Sequence, residues 1–180
     1  TLSGLTHAID ASSGSGNDTV TNSGTITGLI DLGGGTNKLI NTGTINGNYD
    51  GGTSGIDADT VSNSKTITGS VRLGNGTNKL TNSGTILGEA RGGSGTDTFT
   101  NSGTISMLGT TNGVRPGDGN NMFTNSGTIF TYYQGGADAD TVTNTKSIVA
   151  GVGLGDGTNK LTNSGTIGST VFGGADADTV

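Results

Sequence analysis

The sequence predicts an all-β fold, a parallel β-helix of about nine rungs of about 19 residues each, and three observations predict it. A hexapeptide, written in one place as Thr81-Asn82-Ser83-Gly84-Thr85-Ile86, recurs with its Asn at Asn22, Asn41, Asn63, Asn82, Asn101, Asn125, Asn144 and Asn163. These anchors are spaced 19, 22, 19, 19, 24, 19 and 19 residues apart, so two units are the same repeat with 3 or 5 residues added. Apolar residues keep a fixed phase to the anchor, which a disordered chain of the same composition would not do. Finally, 37 of 180 residues are Gly and only 28% are hydrophobic, too few for a thick globular core but enough for one a single side chain deep.

Residues 1–16 read as a frayed lead-in, the second half of a repeat followed by a Ser/Gly turn. From Asn17 the pattern is regular. Two residues before each anchor stands Val20, Leu39, Val61, Leu80, Phe99, Phe123, Val142 or Leu161, and four after it always stands Ile, from Ile26 to Ile167. Many repeats add a third apolar residue eight after the anchor, as at Ile30, Val71, Val152 and Val171. Flanked by Thr, Ser and Asn, these make short β-branched strands between Gly-rich turns. One such unit cannot bury its apolar face alone, but stacked turns can, giving at about 4.8 Å per rung a rod about 40 Å long.

The anchor Asn is placed at a corner, where its amide can bond its own turn and the equivalent Asn above and below. Two residues later stands Gly in six repeats and Lys in two (Lys65, Lys146). The glycines predict a left-handed backbone there, with the two lysines strained or in a different turn. A longer period runs four residues before the anchor: Asp18, Asn37, Asp59, Asn78, Asp97, Asn121, Asp140, Asn159, then Asp178. The next residue alternates in step, Thr with Lys38, Lys79 or Lys160 and once with Met122. The true unit is therefore two rungs, read as a surface device that keeps like charges about 10 Å apart with Lys between them.

A net charge of −6 with no basic patch in the sequence disfavours nucleic acid. No apolar run approaches the roughly 20 residues of a membrane helix, so this segment is not expected to insert. The absence of Cys excludes disulfides and thiolate metal sites. The chain begins and ends mid-pattern, which predicts one β-helical segment (1–180) of a longer array, with exposed strand edges that favour end-to-end association.

Gly92-Gly93-Ser94-Gly95-Thr96-Asp97-Thr98-Phe99-Thr100 fits the nonapeptide of calcium-binding β-rolls. Those rolls need consecutive nonapeptides so that neighbouring loops share each ion, whereas here the adjacent rungs offer Asn and often Lys. The reading therefore takes no cofactor, with a calcium-responsive roll as the alternative. Ice binding would need paired, unbroken Thr files. Thr three after the anchor is nearly invariant, but its partner file reads Thr27, Asn46, Thr68, Leu87, Ser106, Phe130, Val149, Gly168. The Asp57/Asp59, Asp138/Asp140 and Asp176/Asp178 pairs repeat in phase, which marks them as architecture instead of a glycosidase dyad. A glycan-active enzyme is thus the weakest alternative. The code breaks in the inserted loop (107–119), which carries Arg115 and the chain's one Pro, and one rung later at Phe130, Tyr132 and Tyr133. Arg115, Phe130, Tyr132 and Tyr133 are the candidate ligand contacts, since Tyr and Arg on a loop over a rigid scaffold favour binding.

The wording Asp-Thr-Val-Thr-Asn-Ser-Gly-Thr-Ile followed by a Gly-rich turn, over residues 17–180, resembles the repeats of Gram-negative autotransporter (type V secretion) passenger domains. The resemblance implies a right-handed parallel β-helix, export through the outer membrane, and an extracellular or cell-surface location. It implies a non-catalytic adhesin stalk or binding surface, with a host-surface or matrix protein or glycan, or a second cell's copy, as partner.

Overall fold

A repeat with three apolar positions per turn, each set between polar neighbours, buries all three only if the chain coils around them. The computed structural model, which describes residues 7–52, 55, 57–106 and 113–180, is such a coil: an all-β parallel solenoid with no helix among those residues. Three parallel sheets run its length. The first contains the anchor strands, from Thr19–Asn22 to Lys160–Asn163, and the second runs from Thr25–Thr27 to Thr166–Ile167. The third runs from Leu29–Asp31 to Val171–Phe172, and His7–Asp10 of the lead-in adds a ninth strand to it. Each strand pairs with its counterpart one repeat away, anchor on anchor. The 5-residue insertion is absorbed before the third sheet, because Val114–Arg115 is a regular strand paired with Ala90–Arg91. Residues 107–112 of the expected loop lie outside the described residues.

The core is three inward files: Leu39, Leu80 and Phe123 with their equivalents, the Ile file, and a third file that includes Tyr49, Val114 and Tyr133. Between them the anchor amides form a continuous ladder. Asn22 Nδ2 donates to Asn41 Oδ1 at 2.8 Å, and the chain of bonds runs on through Asn63, Asn82, Asn101, Asn125 and Asn144 to Asn163. All of these amides except that of Asn144 also donate within their own turn, as Asn82 Nδ2 does to Gly84 O at 3.2 Å.

The glycine two after the anchor has a different reason from the expected one. None of those glycines has a left-handed backbone, and no non-glycine residue among those described has one. The constraint is instead close approach, because a Cβ on Gly84, Gly103, Gly127 or Gly165 would run into the carbonyl of the same residue one rung earlier. Lys65 and Lys146 do carry a Cβ there, and their turns stand off. Thr66 N to Gly43 O and Ser147 N to Gly127 O stretch to 3.3 and 3.2 Å, while the bonds to the next rung, Thr85 N to Lys65 O and Thr166 N to Lys146 O, shorten to 2.6 Å.

The Asp/Asn alternation is likewise not a surface device. Asn37, Asp59, Asn78, Asp97, Asn121, Asp140 and Asn159 are buried, and they form a second ladder. Each Oδ1 accepts the backbone N–H of its equivalent one rung earlier, in an unbroken series from Asp18 to Asp178. The rungs differ in what precedes the turn. Leu32, Leu73, Pro116 and Leu154 precede the Asn turns, whereas Gly51, Gly92, Gly135 and Gly173 precede the Asp turns. A side chain at any of those four glycines would collide with Oδ2 of Asp59, Asp97, Asp140 or Asp178. Leu with Asn and Gly with Asp are therefore two ways of filling the same space, and that is why the unit is two rungs long. Carboxylates on adjacent rungs would repel by about 3 kcal/mol at an effective dielectric of about 20, and a spacing of two rungs about halves this.

Burial raises these carboxyls, pushing Asp59 to about 7, Asp97 to about 6, and Asp140 upward. The Gly93 amide favours ionised Asp97, but no hydrogen bond of ordinary geometry reaches its Oδ2. A raised carboxyl holds its proton in the folded chain at a pH where the unfolded chain has lost it, so stability falls as pH rises from about 4 to about 7. Asp97→Asn is expected to make that fall shallower in urea unfolding across the same range. A fall of unchanged steepness would show that Asp97 is ionised throughout.

Candidate functional site

Because every rung is in register, the residue nine after the anchor points outward on the third sheet, and successive repeats write one continuous file. With the insertion absorbed, it reads Asp10, Asp31, Asp50, Arg72, Arg91, Arg115, Gln134, Gly153, Phe172. Acid gives way to base, then to neutral and aromatic. The three aspartates have structural work: Oδ1 accepts the turn amide two residues on, from Ser12, Gly33 and Gly52 at 3.0–3.1 Å. Arg72 and Arg91 have no such role in the turns. Arg115 lies 3.8 Å from the buried Glu89 carboxylate, the one ion pair within 4 Å among the described residues, so Arg72 and Arg91 stand exposed without one.

Above the arginines the face opens into a groove of about 610 Å³. Arg115 and Gln134 line its lower side and Tyr132 and Phe172 its walls, while Gly151, Gly153 and Gly155 leave it open. Tyr132 is 47% exposed and Phe172 63%, large values for aromatics in a chain that has so few. A second groove of about 350 Å³ lies alongside the arginines, bordered by Asn75, Arg91, Arg115, Asp118 and Gln134.

Of the four residues singled out from the sequence, Arg115 and Tyr132 meet at the larger groove. Phe130 is 54% exposed but sits after the second-sheet strand Thr128–Ile129, beside Val149, and does not line the groove. Tyr133 is no surface contact. Its side chain is fully buried, stacked on Phe123 at 4.9 Å between centroids, with its hydroxyl donating to Asp140 Oδ2 at 3.3 Å. Period-2 alternation assigns it inward, since it follows Tyr132 at the same phase as Val114 and Val152. Sequence reasoning missed Arg72, Arg91 and Phe172. Aligning the ninth position after each anchor would have found them, but the insertion hides Arg115 from that alignment.

The paired acids are brackets. Asp57, Asp138 and Asp176 each accept with Oδ2 the backbone N–H of Gly35, Gly119 or Gly157 on the rung before. Their partners Asp59, Asp140 and Asp178 belong to the buried ladder. In the nonapeptide, Asp97 points inward and its Oδ1 accepts the Asn78 amide, so it does not face a loop cavity. Among the described residues no three acidic or His side chains converge.

The two glycines of the groove differ in tolerance. A Cβ on Gly153 meets nothing closer than Tyr133 O at 3.9 Å, whereas one on Gly151 would press on Thr170 O at 2.6 Å. Gly153→Leu is expected to fill the groove while shifting stability by no more than about 0.5 kcal/mol, and Gly151→Leu to destabilise by about 1–3 kcal/mol, both read by urea unfolding. Equal costs would contradict this account of the groove floor.

No protein-family model matches the chain, and no curated protein matches it. Among solved structures it is similar to a hyperactive, Ca2+-dependent, β-helical antifreeze protein from an Antarctic bacterium, with a TM-score of 0.70 and 23% sequence identity over 87% of this chain. The match spans 55% of that protein's chain, so this chain corresponds to about half of it. At that identity the likeness establishes the parallel β-helical fold, and nothing of activity.

Proposed function

We propose that the chain is a segment of a secreted or surface-displayed β-helical passenger that binds through one face and carries out no catalysis. The observation that carries this reading is the groove where Arg115, Tyr132 and Phe172 converge over glycine, on a rod whose other outward files are mostly Thr, Ser, Asn and Lys. Aromatic and Arg side chains gathered on a rigid scaffold are the usual anchors of a contact surface. The in-phase use of every acid pair as a bracket supports the absence of catalysis, and the resemblance of the repeat wording to autotransporter passengers supports an extracellular place. The partner is a host-surface or matrix protein or glycan, or the same face on another cell.

Two other readings follow from the antifreeze neighbour. Ice binding is disfavoured, because Phe130 and Val149 project from the file that would have to be flat and hydroxylated. Calcium-responsive folding is raised by that neighbour's Ca2+ dependence and opposed by the inward carboxylates; a circular-dichroism spectrum unchanged by chelator removes it.

Attachment of chain-coated beads to host cells or matrix tests the main reading. The double variant Tyr132→Ala/Phe172→Ala and the groove-filling Gly153→Leu are each expected to lower attachment about tenfold or more. Unchanged attachment by both, with unfolding midpoints like the parent's, would overturn it.

A further inference from the structure

Arg72 and Arg91 have no structural explanation, whereas Arg115 pairs with the buried Glu89. All three arginines of a chain with net charge −6 lie on consecutive rungs of one face, Arg72 on Arg91 and Arg91 on Arg115. Like charges directly opposite each other on a sheet destabilise it. The neighbouring Asp file is tied into its turns, whereas Arg72 and Arg91 have no ion pair within 4 Å among the described residues. Two side chains, Arg72 and Arg91, that cost stability and do nothing for the fold point to a ligand, here an anionic one that spans at least their two rungs.

We infer that this file binds a linear acidic polysaccharide, a polyuronate, lying along the rod axis. The inference rests on the reading of this face as a binding surface and names the ligand class. A guanidinium fork pairs bidentately with a planar carboxylate. A linear polymer of such sugars, laid along the rod axis, can bring carboxylates to more than one of the stacked arginines. The groove alongside is bordered by Asn75, Asp118 and Gln134, amide and acid groups that bond sugar hydroxyls. Further along the face, Tyr132 and Phe172 offer aromatic surfaces against which pyranose rings stack.

The test is titration of the whole chain at low salt with polygalacturonate, its fully methyl-esterified neutral form, and single-stranded DNA. Polygalacturonate is expected to bind, to weaken as salt rises, and to be preferred over both other polymers. Arg72→Gln/Arg91→Gln is expected to lose about tenfold or more in affinity while its unfolding midpoint stays level or rises, since a repulsion is removed. Arg115 is left in place because it neutralises buried Glu89. Equal affinity of parent and double variant, or equal binding of the methyl ester, overturns the inference, and DNA bound as tightly as polygalacturonate replaces the glycan with any polyanion. Loss of polyuronate binding with cell attachment intact removes the ligand class alone. Loss of attachment in the groove variants with polyuronate binding intact confirms a second contact on the same face.

Discussion

The side-chain amide ladder at the first corner is the interaction on which the rest depends. Each anchor Asn from Asn41 to Asn144 both donates to and accepts from its equivalents, so a rung shifted by one residue would leave buried amides without partners on both sides. A hydrogen bond of this kind contributes about 1 kcal/mol net, but an orphaned buried group costs about 1–3 kcal/mol, and that asymmetry sets the register. Once register is fixed, every position of the repeat becomes a straight file along the rod. The apolar files then make a core although only 28% of residues are hydrophobic, and the outward files become surfaces whose chemistry is set one residue per turn.

The second ladder shows how the chain handles buried charge. Asn and Asp accept the same backbone amide through the same oxygen, so either satisfies it. They differ at the second head-group atom. Asn donates to the turn, as Asn78 Nδ2 does to Gly74 O at 3.0 Å, while the Asp oxygen takes the space left by a glycine. Tyr133 serves Asp140 in this way by donating to its Oδ2, whereas the Tyr49 hydroxyl has no partner. The two-rung unit is thus a packing compromise. It joins strand-like regularity with a carboxylate every other turn, at the cost of raised carboxyl proton affinities.

Much of this was legible in the sequence, because the constraint is periodic and local. The anchors, the Ile file and the Asp/Asn alternation gave the solenoid, the core and the two-rung unit. What could not be read was depth. Asp and Lys alternate in adjacent positions, and only the strand's two faces show that the Asp is buried while Lys79 is exposed. Glycine after the anchor suggested backbone handedness, but the actual constraint is a carbonyl one rung away, nonlocal by 19 residues. Tyr133 was read as surface because it fell beside an irregularity, although its phase is that of the core. The arginine file was hidden because its members are far apart in sequence and one lies beyond an insertion.

The face that carries the arginines is a consequence of the same register: Asp, Arg and aromatic groups form a gradient along the rod only because the rungs are held in line. The most direct test of the central claim compares Asn82→Ala, in the middle of the ladder, with Asn163→Ala, at the exposed last rung, in urea unfolding of the whole chain. The account predicts a loss of about 2–4 kcal/mol for Asn82→Ala, which orphans neighbours on both sides, and about 1 kcal/mol or less for Asn163→Ala. Equal and small losses at both positions would contradict it, and would assign the register to the apolar files instead.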